Sequence, residues 1–94
     1  MPTDLPPSLQ PTVCELARYL IEHPLASDTA EGIARWWLGE AGAEPWRLQP
    51  ALDWMKASAL LEETVAADGR RRYRRGVEIG VLRALLSAHR EVRP

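Results

Sequence analysis

The sequence predicts a mainly helical α+β domain with one small β-hairpin, and two observations support this class. Four segments repeat apolar residues at the spacing of a buried helix face. They cover residues 12–23, 28–39, 46–59 and 77–91. Two shorter runs of strand character, 61–66 and 70–75, are separated by a turn that contains an Asp-Gly pair. A chain of 94 residues is long enough for one such domain and too short for two.

The first helix is predicted to begin at Thr12. Thr12 and Glu15 have the spacing of a capping box, in which each side chain accepts a hydrogen bond from the other residue's free backbone amide. The buried face of this helix consists of Val13, Leu16, Ala17, Leu20 and Ile21. Cys14 falls on the same side and is expected to be a small core residue rather than a reactive thiol. Residues 1–11 contain four prolines and little to bury, which predicts a flexible arm.

The next two helices are predicted from the same spacing. Asp28 is the expected N-cap of the second helix. The buried face of that helix consists of Ala30, Ile33, Ala34, Trp37 and Leu38. The third helix places on one side Leu48, Ala51, Leu52, Met55 and Ala59. Pro50 is tolerated only within a first turn, so this helix is expected to begin near Arg47 or to bend.

Basic residues are concentrated in the second strand of the hairpin. Although the net charge is only −1, five of the 12 Lys and Arg residues are arginines between positions 70 and 75. A two-residue turn would place Glu63 opposite Arg74 and Glu62 opposite Arg75. These two arginines therefore form cross-strand ion pairs or belong, with the other three, to a surface that binds an anion such as phosphate.

The rest of the composition argues against several classes of function. With one cysteine the chain cannot form an internal disulfide, and no apolar run approaches the ~18 residues of a membrane span. A cytoplasmic protein is therefore expected. His23 and His89 have no cluster of further ligands at metal-binding spacing, and no motif suggests a phosphate loop or a catalytic nucleophile. We therefore expect no metal, no cofactor and no enzymatic activity.

Residues 51–62, with the sequence ALDWMKASALLE, resemble the winged helix-turn-helix domains of bacterial transcription regulators. Where the recognition helix of that family runs into the first wing strand, a pattern such as ALxxLxxxGLLE is typical, and Ala59 here replaces the usual glycine. The run DGRRRYR, which starts at Asp68, is similar to the wing itself. The resemblance covers residues 12–75. It implies a winged domain over 12–76, followed by a C-terminal helix in 77–94.

The resemblance implies that the protein binds duplex DNA and regulates transcription. It places Arg47, Gln49 and Lys56 of the third helix near the major groove, where forked side chains read base edges. It places on the phosphate backbone the wing residues Arg70, Arg71, Arg72 and Arg74. Asp53 lies at the centre of the same helix face and would repel phosphates, so specific readout is expected to be poor.

Three tryptophans favour a different function. Trp36, Trp46 and Trp54 are expected on the outer sides of their helices, and exposed indoles usually mark an interface. The alternative to this exposure is that one or two of them fold onto the core. If they remain exposed, the protein is a winged-helix adaptor that binds another protein and does not read DNA.

The last helix presents a further apolar side. Its members are Val77, Val81, Leu82, Leu85 and Leu86. Burial of each such side chain gains ~1.5–3 kcal/mol, so the five are not expected to remain in water. They pack either on the first helix of their own chain or against a second chain. A regulator that reads a two-fold DNA site favours the second arrangement, a homodimer.

Overall fold

The computed structural model describes residues 5–38 and 45–89, and this part of the chain is an α+β domain, as predicted. The elements in chain order are α1 (Gln10–Glu22), β1 (Ser27–Asp28), α2 (Ala30–Gly32), a π-helical turn (Ile33–Trp37), α3 (Pro45–Ala57), β2 (Leu61–Val65), β3 (Arg71–Arg75) and α4 (Ile79–Ala88). The predicted ends of the second helix, at residue 39, and of the last helix, at 91, lie outside the described residues.

The first helix begins earlier than predicted. Leu9 is the N-cap of α1, and Pro11 lies in the first turn, where the amide that proline lacks would have no helical partner. Thr12 therefore lies inside the helix, and the predicted capping box is wrong. Residues 10 and 11 of the expected arm belong to α1, and Leu5 is only 6% exposed and packs in the core. Cys14 is buried, as predicted, and this burial raises the pKa of its thiol.

The second helix is capped by Thr29 rather than by Asp28. The Thr29 hydroxyl accepts a hydrogen bond from the Gly32 amide at 3.1 Å, while the Asp28 carboxylate accepts one from the Thr29 amide at 2.8 Å. Asp28 itself belongs to the short strand β1, which the sequence analysis missed. The π-helical turn that follows keeps Trp37 buried and leaves the Trp36 side chain 66% exposed.

The three strands form an antiparallel sheet with β3 in the centre, in the order β1-β3-β2. The predicted hairpin of β2 and β3 is confirmed, but its predicted register is wrong by one residue. The turn contains three residues rather than two, because the Ala66 amide donates to the Arg70 carbonyl at 2.9 Å and Gly69 adopts a φ of 84°. Glu62 consequently lies opposite Arg74.

The helix α3 begins at Pro45, so Pro50 lies inside it rather than in its first turn. The predicted start near Arg47 is therefore wrong, and the alternative, a bend at Pro50, stays a prediction. One helical hydrogen bond is therefore missing at that position. At its other end α3 closes with a Schellman motif. The Ala59 amide donates to the Lys56 carbonyl at 3.0 Å, and the Leu60 amide donates to the Met55 carbonyl at 2.8 Å. This motif requires a left-handed residue, and Ala59 supplies it with a φ of 64°.

The core lies between α1, α3 and the sheet. Its largest fully buried side chains are Val13, Leu16, Leu20, Ile33, Leu52, Met55 and Leu82. Helix α4 packs on α1 of the same chain, and the Gln10 side chain donates a hydrogen bond to the His89 carbonyl at 2.8 Å. Leu85 and Leu86 are partly buried against this core, whereas Val81 is 46% exposed. Val77, which precedes α4, also packs against the core. Four of the five apolar residues, Val77, Leu82, Leu85 and Leu86, are therefore covered within their own chain, and the homodimer stays a prediction.

Replacing Ala59 with glycine should stabilise the domain. A non-glycine residue in the left-handed region costs ~1–2 kcal/mol, which glycine would avoid. Glycine also makes the unfolded chain more flexible, and this offsets ~0.5–1 kcal/mol of the stabilisation. We expect Ala59→Gly to raise the free energy of unfolding by ~0.5–1 kcal/mol, measured by urea denaturation. Ala84→Gly, the same change at an exposed position inside α4, should instead lower it by ~1 kcal/mol. Equal losses in both variants would contradict the left-handed assignment of Ala59.

Leu82→Ala should destabilise the monomeric fold strongly. Leu82 is fully buried, so its truncation should cost ~2–5 kcal/mol, whereas Val81→Ala on the exposed side of α4 should cost less than ~1 kcal/mol. Thermal melts at several protein concentrations measure both effects. A melting temperature that rises with concentration would indicate the homodimer, because association stabilises the folded state by mass action.

Candidate nucleic-acid interface

The five hairpin arginines point to different sides of the sheet. Tyr73 is 5% exposed and faces the helices, so Arg71 and Arg75 lie on the helix side of β3. Arg72 and Arg74 lie on the opposite side. Arg70 precedes β3 and reaches the second helix. The structure therefore does not unite these arginines into one cluster.

In addition to the shared core, an ion-pair contact joins α3 to the hairpin. Lys56 Nζ lies 2.8 Å from Glu63 Oε1, and Arg71 Nη1 lies 3.6 Å from Glu63 Oε2. The Glu63 side chain is only 19% exposed, so it holds the two cations side by side. The hydrogen bond from Lys56 is the main cause that lowers the pKa of the Glu63 carboxyl, and the same bond raises the pKa of Lys56.

Further polar side chains lie beside Lys56 on the exposed side of α3. Gln49, Asp53 and Lys56 follow each other at spacings of four and three residues, which places them on one face of the helix. Gln49 Nε2 donates a hydrogen bond to Asp53 Oδ1 at 2.9 Å. We call this surface the α3–hairpin face, and it consists of Gln49, Asp53, Lys56, Glu63 and Arg71. It carries two positive and two negative charges, so it is polar but electrostatically balanced.

The remaining arginines have other contacts. Arg74 Nε lies 3.0 Å from Glu62 Oε1, so the predicted partners Glu63 for Arg74 and Glu62 for Arg75 are wrong. Arg75 donates instead to the Pro24 and Val77 carbonyls, at 3.2 and 2.6 Å, which makes it a structural residue. The Arg72 backbone pairs with Thr64 in the sheet, but its side chain forms no hydrogen bond or ion pair with the residues that the structure describes. It lies on the sheet side away from the α3–hairpin face.

The tryptophans are distributed unequally between core and surface. Trp37 is buried and stacks on Tyr19 with ring centroids 4.8 Å apart, as the apolar pattern predicted. Trp36 is exposed, also as predicted. Trp54 is half-buried and packs against the core, so it follows the alternative in which an indole folds inward. The side chains of Trp46 and Arg47 lie outside the described part of the structure.

A shallow groove between the second helix and the hairpin was not foreseen. It has a volume of about 430 Å³ and is lined by Thr29, Glu31, Gly32, Arg35, Trp36 and Arg70. Arg70 Nη2 lies 3.1 Å from Glu31 Oε1, and the Arg35 guanidinium carbon lies 5.8 Å from the Trp36 ring centroid. The Arg35-Trp36 dipeptide could have indicated part of this groove from the sequence. The approach of Arg70 to Glu31 could not, because it depends on how β3 pairs with β1. We call this site the α2–hairpin groove.

No group of three or more metal-ligating side chains occurs within residues 5–38 and 45–89. In the same ranges, none of the helices has the length and apolarity needed to cross a bilayer. The chain matches no known family model, no curated protein and no solved structure.

Breaking the Lys56–Glu63–Arg71 contact should give a pH-dependent loss of stability. Because folding lowers the pKa of Glu63 below its ordinary value of 4.5, its contribution is present above that value and disappears as the pH falls through the folded-state pKa. Glu63→Gln should therefore differ most from the unmodified protein at neutral pH, and the difference should shrink below pH 4.5. Urea denaturation across this range measures it.

Glu62→Gln is the matched control because it removes the same charge from the same strand. Its exposed pair with Arg74 should contribute no more than ~0.5–1 kcal/mol at neutral pH. A pH-independent effect of Glu63→Gln would contradict an electrostatic role and would indicate a packing role instead.

Proposed function

We propose that this domain binds duplex DNA as a winged helix-turn-helix protein, with a role in regulating transcription. The observation that carries the proposal is the α3–hairpin face, where Lys56 and Arg71 lie together beside the exposed side of α3. A helix and an adjacent hairpin can contact a groove and its flanking phosphates at the same time.

Two features of the fold support the winged-helix interpretation. The short strand β1 lies between the first two helices in sequence and pairs with β3, which ties the hairpin to the helices. Ala59 occupies the position where the resembling family has glycine, and its positive φ is the conformation that glycine adopts most easily. Both features are consistent with a helix that ends abruptly and leads into a wing.

In this proposal α3 approaches the major groove and the hairpin contacts the backbone. Gln49 has an amide fork suited to adenine, and Lys56 and Arg71 supply positive charge for phosphates. In the free protein these groups bind Asp53 and Glu63. The Gln49–Asp53 hydrogen bond is exposed. The Lys56 and Arg71 side chains are 43% and 71% exposed, although that of Glu63 is not. Phosphate oxygens can therefore reach both cations. The two acidic residues still reduce the attraction, and we expect modest affinity with little sequence preference.

The test is a salt series of fluorescence-anisotropy titrations with random duplex DNA. Each phosphate contact contributes roughly one unit to the slope of log affinity against log salt. Lys56→Ala and Arg71→Ala should each reduce the slope by about one unit and weaken binding to all sequences. Glu63→Gln should strengthen binding, because it removes the carboxylate that competes with phosphate for both cations.

Arg83→Ala is the matched control for loss of a positive charge. Arg83 is exposed on α4, away from the α3–hairpin face, so its replacement should leave the salt slope unchanged. Absence of duplex binding by the unmodified protein at low salt would contradict the proposal. Equal effects of Arg83→Ala and Arg71→Ala would reduce it to unspecific attraction of DNA by arginines anywhere on the surface.

An adaptor that binds another protein is the second candidate. Trp36, with 66% of its surface exposed, favours it, because aromatic residues of this size are enriched at protein interfaces. This function does not need the cations of the α3–hairpin face. A partner complex that survives loss of both Lys56 and Arg71 would therefore favour the adaptor over the DNA-binding protein.

A further inference from the structure

The α2–hairpin groove combines an exposed aromatic face with positive charge. Trp36 is the only large apolar side chain among the described residues that line it. Arg35 lies against the Trp36 ring, and Arg70 closes the other side from the hairpin. Glu31 partly compensates these charges, but its side chain is 83% exposed and Arg70 is 59% exposed. The pair is therefore open to exchange with another anion.

The exposure of Trp36 is built into the local backbone. Ile33 and Trp37 are buried in the core, and the π-helical turn that contains both of them leaves Trp36 on the outside. π-Helical turns are rare and frequently occur at functional sites. The indole is thus held on a firmly anchored segment next to Arg35, which suits a rigid platform for stacking.

We propose that the α2–hairpin groove binds an unpaired nucleotide of single-stranded DNA. The base stacks on the exposed face of Trp36, and the flanking phosphates bind Arg35 and Arg70 in place of the Glu31 carboxylate. Aromatic side chains bind bases in this way without regard to sequence, because every base has a planar face. The groove volume of about 430 Å³ lies in the range of small-ligand sites.

An acidic peptide fits the same groove less well. A peptide anchor gains its affinity from a concave pocket lined by several apolar groups, which an aliphatic or aromatic side chain fills. Around Trp36 the described lining is otherwise polar or small, namely Thr29, Glu31 and Gly32 together with the two arginines. A flat indole flanked by guanidinium groups complements a planar base with an adjoining phosphate better than a protruding side chain.

The proposal is independent of duplex binding by the α3–hairpin face, and the experiment separates the two. Fluorescein-labelled (dT)8 and an octamer with the same phosphates but abasic sugars are titrated with the unmodified protein at low salt. We expect (dT)8 to bind about 10-fold or more tightly than the abasic octamer, because only (dT)8 can stack on Trp36. Trp36→Ala should abolish this difference and leave duplex binding unchanged.

Matched variants identify the partners of the phosphates. Arg70→Ala and Arg35→Ala should weaken binding of both octamers, whereas Arg83→Ala on α4 should not. Val81→Ala, which shortens an exposed apolar side chain elsewhere, controls for Trp36→Ala. Circular dichroism establishes that each variant is folded, which we expect because the replaced side chains are exposed.

Three results would overturn the proposal. The first is equal affinity of the unmodified protein for (dT)8 and for the abasic octamer. The second is unchanged (dT)8 binding by folded Trp36→Ala. The third is that an octapeptide of glutamates with one central leucine binds more tightly than (dT)8 does. This result would assign the groove to an acidic protein segment.

Discussion

The position of β3 between β1 and β2 is the constraint on which both candidate surfaces depend. β3 pairs along its whole length with β2, and its Tyr73 and Arg74 pair with β1. Burial of Tyr73 fixes which side of β3 faces the helices. The side of each hairpin arginine then follows from the alternation of a strand. Because Tyr73 is in the core, Arg71 lies on the side of the sheet where Glu63 also contacts Lys56 of α3, and for the same reason Arg72 faces away.

Helices and the hairpin could be predicted from the sequence because each has a local pattern. Apolar spacing located α1 and α3, and the Asp-Gly turn located the hairpin. The register depended on whether the turn has two or three residues, and an Asp-Gly pair is compatible with both. Asp28 and Thr29 are both good N-caps, and the choice between them depends on the pairing of β1 with β3. The contact of Arg70 with Glu31 spans 39 residues and follows from that same pairing.

The concentration of arginines in the sequence overstates the positive charge that is available for binding. In the structure Glu62, Glu63 and Glu31 lie against Arg74, Arg71 and Arg70 respectively. Arg75 is committed to backbone carbonyls. Under either proposal, binding of a phosphate at these arginines would therefore require exchange of carboxylate for phosphate rather than attraction to an uncompensated patch. Such an exchange gains less free energy than binding of a phosphate to an arginine that has no acidic partner. Salt weakens both kinds of binding to the same extent.

Neighbouring arginines in the hairpin consequently belong to different surfaces. Arg70 lines the α2–hairpin groove, Arg71 belongs to the α3–hairpin face, and Arg72 lies on the far side of the sheet. A simultaneous replacement of all three would impair two candidate functions at once and would identify neither. Single replacements separate them because each guanidinium has its own acidic partner or none. What the basic run can bind therefore depends on the separate surfaces over which the strand distributes its arginines, and not on its total charge.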